Sequence, residues 1–333
     1  MHWIFALLPF FLLTSCNLPT TSPPPDPFDI ATQIALTGEP TRTPPTLAPV
    51  IAATATQTPD PATPTGKIVY VCQMFKVQVG DQICIMNADG TGQHRLTTED
   101  YTRHFYPSIA PDGESVIYVQ FGGENIYDIY EMTLDGQTIQ VTDGLGVLTA
   151  PEISLDGSII AFTHGAPLAR HAIWIVNRDG SNPRQVYETG WDPTWSPDGT
   201  QILFASDHSG RVQMYVVDMN GENLRQVNEM SGLRGRTDWS SQEEIVTYAG
   251  TPWHRELYIL NEDGSDLRQI TPEGGNSQGP SFSPDGNWVT FTAYFDHYGD
   301  NHGCEIYIMR TDGTDFRRLT DNDYCDWQPR WGQ

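Results

Sequence analysis

The chain has 333 residues, a formal net charge of −24 and an 18% share of charged side chains. Phosphate backbones and anionic membrane surfaces are thereby excluded as preferred partners, since each demands like-charge approach, and nucleic acid is not an expected ligand. Many of the acids stand in turn sequences, where aspartate serves backbone geometry.

Residues 1–15 read as an export leader. The apolar run from Trp3 to Leu13 is shorter than the roughly 20 residues a helix needs to cross a bilayer, and it fits the hydrophobic segment of a signal peptide. Only His2, and no Lys or Arg, precedes it. The phrase Leu13-Thr14-Ser15-Cys16 resembles the lipobox of bacterial lipoproteins, which implies cleavage before Cys16 and lipidation of its thiol. Residues 16–66 then form a tether, with Pro23-Pro24-Pro25 and Thr-Pro pairs at Thr43, Thr58 and Thr63. Such a segment buries too little apolar surface to offset its ordering entropy and is expected to stay extended.

Residues 67–333 carry an internal repeat. Pro107-Ser-Ile-Ala-Pro-Asp-Gly113 recurs as Pro151-Glu-Ile-Ser-Leu-Asp-Gly157, Pro193-Thr-Trp-Ser-Pro-Asp-Gly199, the degenerate Asp238-Trp-Ser-Ser-Gln242 and Pro280-Ser-Phe-Ser-Pro-Asp-Gly286, at separations of 44, 42, 44 and 43 residues. Each phrase precedes a β-branched strand such as Ile159-Ile-Ala-Phe162, a second strand such as Ile173-Trp-Ile-Val176, and an Asp-Gly or Asn-Gly turn suited to a tight hairpin. A short last strand ends in phrases such as Leu319-Thr320. This period is that of a four-stranded propeller blade. The turn and outer strand occur six times, because Asn87-Ala-Asp89-Gly90 leads to Leu96-Thr97, while Pro329-Arg330-Trp331 supplies the inner strand that the first unit lacks. The expectation is an all-β fold: a six-bladed propeller of antiparallel blades, closed by the C-terminal strand, which removes both free edges.

The phrases Trp/Phe-Ser-Pro-Asp-Gly, Ile-Tyr-Val-Met-Asn-x-Asp-Gly and Leu-Thr resemble the repeats of the TolB and wider WD40-like β-propeller family, over residues 68–331. Proteins of the TolB type are mostly scaffolds. Related blades occur in prolyl oligopeptidase-type enzymes and in oligogalacturonate lyase, so the resemblance implies fold more sharply than activity. TolB carries an α/β domain ahead of its propeller, where this chain has the Pro/Thr tether.

Strand order puts the two kinds of Asp-Gly turn at one end of each blade, and the blade-to-blade connections with the strand-two to strand-three loops at the other. The connections bring Arg103, His104, Tyr106, Trp191, Asp192, Arg234, Arg236, Asp238, Tyr324, Asp326 and Trp327 toward one channel mouth, a set of aromatics, arginines and acids suited to recognising peptide or sugar. Inter-blade packing is the competing use for Trp191 and Trp327. Cys72, Cys84, Cys304 and Cys325 fall at the same end. An even number in an exported chain points to two disulfides, Cys72 with Cys84 and Cys304 with Cys325 being favoured over a pairing of Cys72 with Cys325.

Gly275-Asn-Ser277-Gln-Gly279 matches a serine-hydrolase string, but no helix follows the serine to build the elbow that chemistry needs. His164, His208, His254 and His297 follow the second strands of successive blades and are the candidate ligands for a transition metal. Asp321, Asp323 and Asp326, or Asp296 and Asp300, are oxygen donors of the kind calcium takes, without the spacing of a calcium loop. No cofactor is required. The reading is a monomeric, non-catalytic, extracytoplasmic lipoprotein that binds envelope protein, peptide or saccharide and meets the membrane only through its lipid. The alternative is a metal-dependent carbohydrate enzyme of the oligogalacturonate-lyase type.

Overall fold

The computed structural model describes residues 63–73, 80–99, 102–123, 126–165, 170–293 and 304–333. The leader, Cys16, most of the tether, Asp296, Asp300 and His297 lie outside the described residues. Every named element within them is a strand. The first group is β1 (Lys67–Gln73), β2 (Asp81–Asn87) and β3 (His94–Arg95). The second is β4 (His104–Ile109), β5 (Ser115–Gly123), β6 (Ile126–Thr133) and β7 (Thr138–Gln140), and the third β8 (Val147–Ile153), β9 (Ile159–Gly165), β10 (Ala172–Asn177) and β11 (Arg184–Tyr187). The fourth is β12 (Trp191–Trp195), β13 (Gln201–Ser206), β14 (Gln213–Asp218) and β15 (Arg225–Gln226). The fifth is β16 (Leu233–Trp239), β17 (Glu244–Thr251), β18 (His254–Asn261) and β19 (Arg268–Gln269). The sixth is β20 (Ser277–Phe282), β21 (Trp288–Ala293), β22 (Glu305–Arg310) and β23 (Arg317–Arg318), and β24 (Asp326–Gly332) ends the chain.

Neighbours in each group pair antiparallel. The last strand returns to the first group, where β24 pairs antiparallel with β1, Trp331 opposite Ile68 and Asp326 opposite Cys72. One parallel pair, Tyr127 with Val147, joins the second and third groups into a single sheet.

The repeated dipeptides have local reasons. In Ser196-Pro-Asp-Gly199 the Ser196 hydroxyl donates to Asp198 (2.6 Å) and accepts from the Gln201 N–H (2.9 Å), while Asp198 accepts the Thr200 N–H (3.0 Å). Gly199 takes φ +70°, which a side chain would resist. The Leu-Thr and Val-Thr phrases act as clasps. Thr142 accepts from the Ile129 N–H (2.9 Å) and donates to the buried Asp128 carboxylate (3.0 Å), which also takes the Gly144 N–H (3.1 Å). Gln82 with Thr97, Glu256 with Thr271 and Glu305 with Thr320 repeat the arrangement. In four of the six groups a polar residue at the start of the strand before the outer one thus fastens that outer strand.

The cores lie between groups rather than inside one. In β1, Ile68 and Tyr70 pack with Ile306, Ile308 and Trp288 of the sixth group, whereas the alternate Val69 and Val71 pack with Val116 and Tyr118 of the second. Period-two alternation therefore sends successive side chains to different neighbours, and the strand reads as apolar throughout. Comparable clusters join second to third, third to fourth, fourth to fifth and fifth to sixth groups. The two disulfides are Cys72–Cys84, with Cα atoms 5.8 Å apart, and Cys304–Cys325, at 4.5 Å. The favoured pairing is the one present.

Candidate functional site where the first strands converge

The first strand of each group lies against its counterpart in the next: β4 on β8, β8 on β12, β12 on β16, β16 on β20, β20 on β24, and β24 on β4. Each carries an irregularity where pairing with its neighbour slips in register, β16 at two successive places. The residues there are Tyr106, Ala150, Asp192, Arg236, Gly279 and Gln328, all with φ between 39° and 58°. Such β-bulges turn a strand and re-aim its side chains. Two residues later come Ser108, Glu152, Thr194, Asp238, Ser281 and Arg330, a second tier of three short polar residues alternating with three charges.

Those charges meet. Arg330, buried at 5% exposure, donates from Nε to Glu152 and from Nη1 and Nη2 to the carbonyls of Pro280 (3.1 Å) and Thr237 (3.3 Å), and its Nη1 lies 3.9 Å from Asp238. Ser108 donates to the other oxygen of Glu152 (2.8 Å), and Asp238 accepts from Ser281 Oγ and the Phe282 N–H, both at 2.8 Å. Burial pushes the Glu152 carboxyl above its ordinary range while Arg330 and Arg236 pull it back. Burial also opposes the charge on Arg330, but Glu152 and Asp238 overcome it and raise the arginine.

In the bulge tier, Asp192 accepts the backbone N–H of Arg236 (2.9 Å) and Tyr106 donates its N–H to Gln328 Oε1 (2.8 Å). The Arg236 guanidinium lies 5.4 Å from the Tyr106 ring centre, with its Nε and Nη1 unpartnered. Burial and the Arg330 charge push Arg236 down to about 10, and desolvation pushes Asp192 up against the pull of Arg236.

Of the residues singled out from sequence, Tyr106, Asp192, Arg236 and Asp238 are thus brought together. The others stand apart. His104 is fully buried, edge-on to Tyr118 with ring centres 5.5 Å apart, and burial lowers its pKa. Arg103 bonds Asp81 (2.9 Å), and Trp327 packs edge-on to Phe105 at 6.1 Å, between groups. Trp191 donates to the Arg234 carbonyl (3.3 Å) of the neighbouring group, and the exposed Arg234 side chain donates to the Gly250 carbonyl (3.2 Å). Asp326 is buried beside Glu305 and Asn322, the latter donating at 2.7 Å, and burial followed by the Glu305 charge raises it to about 7. The Tyr324 N–H donates to Asn322 Oδ1 (2.8 Å).

His164 stacks on Trp174 (4.8 Å) and contacts the Leu145 carbonyl, His208 contacts the Tyr187 hydroxyl (3.1 Å), and His254 is exposed on β18. Among the described residues no three His, Cys, Asp or Glu side chains gather as a metal would require. Arg330 and Glu152 were not expected. Their signal was present in the repeat, as charges standing with Asp238 in a column otherwise filled by Ser and Thr.

A cavity of about 400 Å³ opens below the second tier, toward the Ser-Pro-Asp-Gly turns, with Glu152, Asp238 and Arg330 at its floor and Trp195, Trp239 and Trp331 in its wall. Sequence reasoning had favoured the opposite end.

The sequence profile described as the TolB beta propeller domain matches residues 58–252. A Protein TolB homolog of Chlorobium luteolum is 27% identical over 137 residues, covering 36% of this chain and 31% of that one. An uncharacterized peptidase, YuxL, of Bacillus subtilis is 26% identical over 198 residues, 56% of this chain and 29% of that one. The crystal structure of TolB from Acinetobacter baumannii superposes with TM-score 0.70 at 21% identity, covering 80% of this chain and 66% of that chain. The chain thus spans less than two thirds of each relative's length, and the structural likeness speaks to fold alone.

Proposed function

From its membership of the TolB beta propeller domain family, we propose that this chain is a non-catalytic scaffold outside the cytoplasm, tethered through Cys16, that binds envelope protein, peptide or saccharide at an end of its throat. The body is taken as six blades closed into a ring. Contacts passing from β4 through β20 to β24 and back to β4, with β24 paired to β1, support that closure. Two disulfides support an oxidising compartment.

The observation that carries the binding reading is the stopper of Arg330, Glu152 and Asp238. It fills the throat with saturated ion pairs and hydrogen bonds, which suits a rigid platform presenting concave ends more than a reaction centre with free acid and base. The carbohydrate-enzyme alternative would draw on His164, His208 and His254, which here serve separate local contacts or lie exposed.

Affinity capture from detergent-solubilised envelope tests the proposal, comparing the parent with Trp191→Ala/Arg234→Ala at the connection end and Leu155→Asp at the turn end. Loss of a specific partner in one variant is expected. Partners indifferent to both changes, or metal-dependent cleavage of polygalacturonate by the purified protein, would refute it.

A further inference from the structure

The bulge tier holds a cation whose donors the fold leaves unmet. Arg236 is 6% exposed, and among the described residues its guanidinium makes no hydrogen bond and no ion pair, with Nε and Nη1 both buried without an acceptor. The Tyr106 ring, its centre 5.4 Å from the guanidinium carbon, attracts the charge but leaves those N–H groups unanswered. A buried arginine is ordinarily paired, because an unmet guanidinium gives up its bonds to water and gains none in return.

The acids of the throat are spent elsewhere. Asp192 gives its Oδ2 to the backbone N–H of Arg236 (2.9 Å), not to the side chain. Glu152 takes Arg330 and Ser108, and Asp238 takes Ser281 Oγ and the Phe282 N–H. Further positive charge stands toward the connection end. Burial, then Asp192, push the Tyr248 hydroxyl up to about 12 while the charges of Arg255, Arg236 and Arg234 all oppose them. Arg255 donates from Nη1 to Gln278, yet its Nε is also buried without an acceptor. Arg234, Arg236, Arg255 and Arg330 thus stand against Asp192, Glu152 and Asp238, in a chain that is otherwise strongly acidic.

There is room beside the guanidinium. A methyl group placed on Gly279 would touch only Arg236, 3.6 Å from its Cδ and 3.9 Å from its Nε, with no other atom within 4 Å beyond the chain neighbours. Gly279 occupies the position in its own strand that Arg236 occupies in β16, so the gap lies in the bulge tier itself. The second tier closes the side toward the turns, where Arg330 spans to Glu152.

We propose that Arg236 binds a small carboxylate anion, which enters from the connection end and lies against the guanidinium beside Gly279. Two carboxylate oxygens answer two N–H groups of one planar fork and supply the missing negative charge, whereas a water supplies no charge and a halide no second acceptor. No macromolecular partner enters this site, so the scaffold reading stands or falls without it.

Formate is the probe, added to the full chain in sodium HEPES free of chloride, with NMR saturation transfer from protein protons to the formate proton as the readout. Saturable transfer is expected for the parent, and Arg236→Gln, neutral and of similar reach, is expected to weaken the affinity at least about tenfold. Gly279→Asp puts a carboxylate into the gap at a φ of +58° that aspartate tolerates better than most residues. That variant is expected to abolish transfer while keeping a sharp thermal transition at or above the parent's temperature, and it decides the matter where Arg236→Gln does not fold. No transfer in the parent, transfer undiminished in a folded Arg236→Gln or in Gly279→Asp, or its loss on adding equimolar chloride would each overturn the proposal.

Discussion

Arg330 and Glu152 belong to different groups and meet in the throat, where each is the other's main compensation for lost water. Removing one partner of a buried pair typically costs about 3–5 kcal/mol, much of it the penalty of stranding the other charge. Arg330→Met is therefore expected to lower the urea midpoint strongly, and Glu152→Met in the same chain to restore part of the loss. A double-mutant cycle in urea measures this, and additive losses would contradict the pairing.

Asp326 gives a second prediction at this scale. Its folded pKa, about 7, lies above the ordinary value of 3.8, so between these values the native state holds a proton that the unfolded chain releases. Stability from this group is complete below about pH 4 and declines as pH rises toward 7. Asp326→Asn should remove that slope, raising the melting temperature at pH 8 by several degrees and changing it little at pH 4.

Among elements, the outer strands are only two to four residues long and depend on clasps such as Thr271 between the Leu257 N–H and Glu256. Thr271→Val keeps the shape but leaves a buried N–H and a buried carboxylate short of a partner, a loss of about 1–3 kcal/mol. Faster amide exchange confined to β18 and β19 would report it. The last strand carries more. β24 supplies Trp331 to the first core, Arg330 to the throat and a pairing edge to β1. Deleting residues 326–333 is expected to abolish cooperative unfolding, and a retained sharp thermal transition would contradict that role. The strands and their pairing order were readable from the 42- to 44-residue period, because each turn and clasp is specified by residues close in sequence. The bulges were not, since a positive φ at Tyr106, Ala150 or Gln328 has no mark in those residue types.

For the whole molecule, part of the acidic composition serves the turns. Asp156, Asp198 and Asp285 are held below the usual carboxylate range: Asp156 and Asp198 by their turn hydroxyls and backbone N–H groups, and Asp285 by Ser283 and Asn287 against the opposing effect of burial. A depressed carboxylate lends stability above its unfolded pKa and loses it as pH falls through the folded value, so urea midpoints should drop as pH falls below about 4. A midpoint flat from pH 5 to 2 would contradict this.

The sequence by itself determined the strands, their antiparallel order and the family, because propeller repeats are encoded in short-range patterns, while it left two cysteine pairings open that the structure decided. Only the tertiary structure decided which side chains share the throat. That set is drawn one residue per group from positions more than 40 residues apart. The packing of the groups buries His104 and Asp326 and brings the unforeseen Arg330 and Glu152 together, through contacts that no local pattern records.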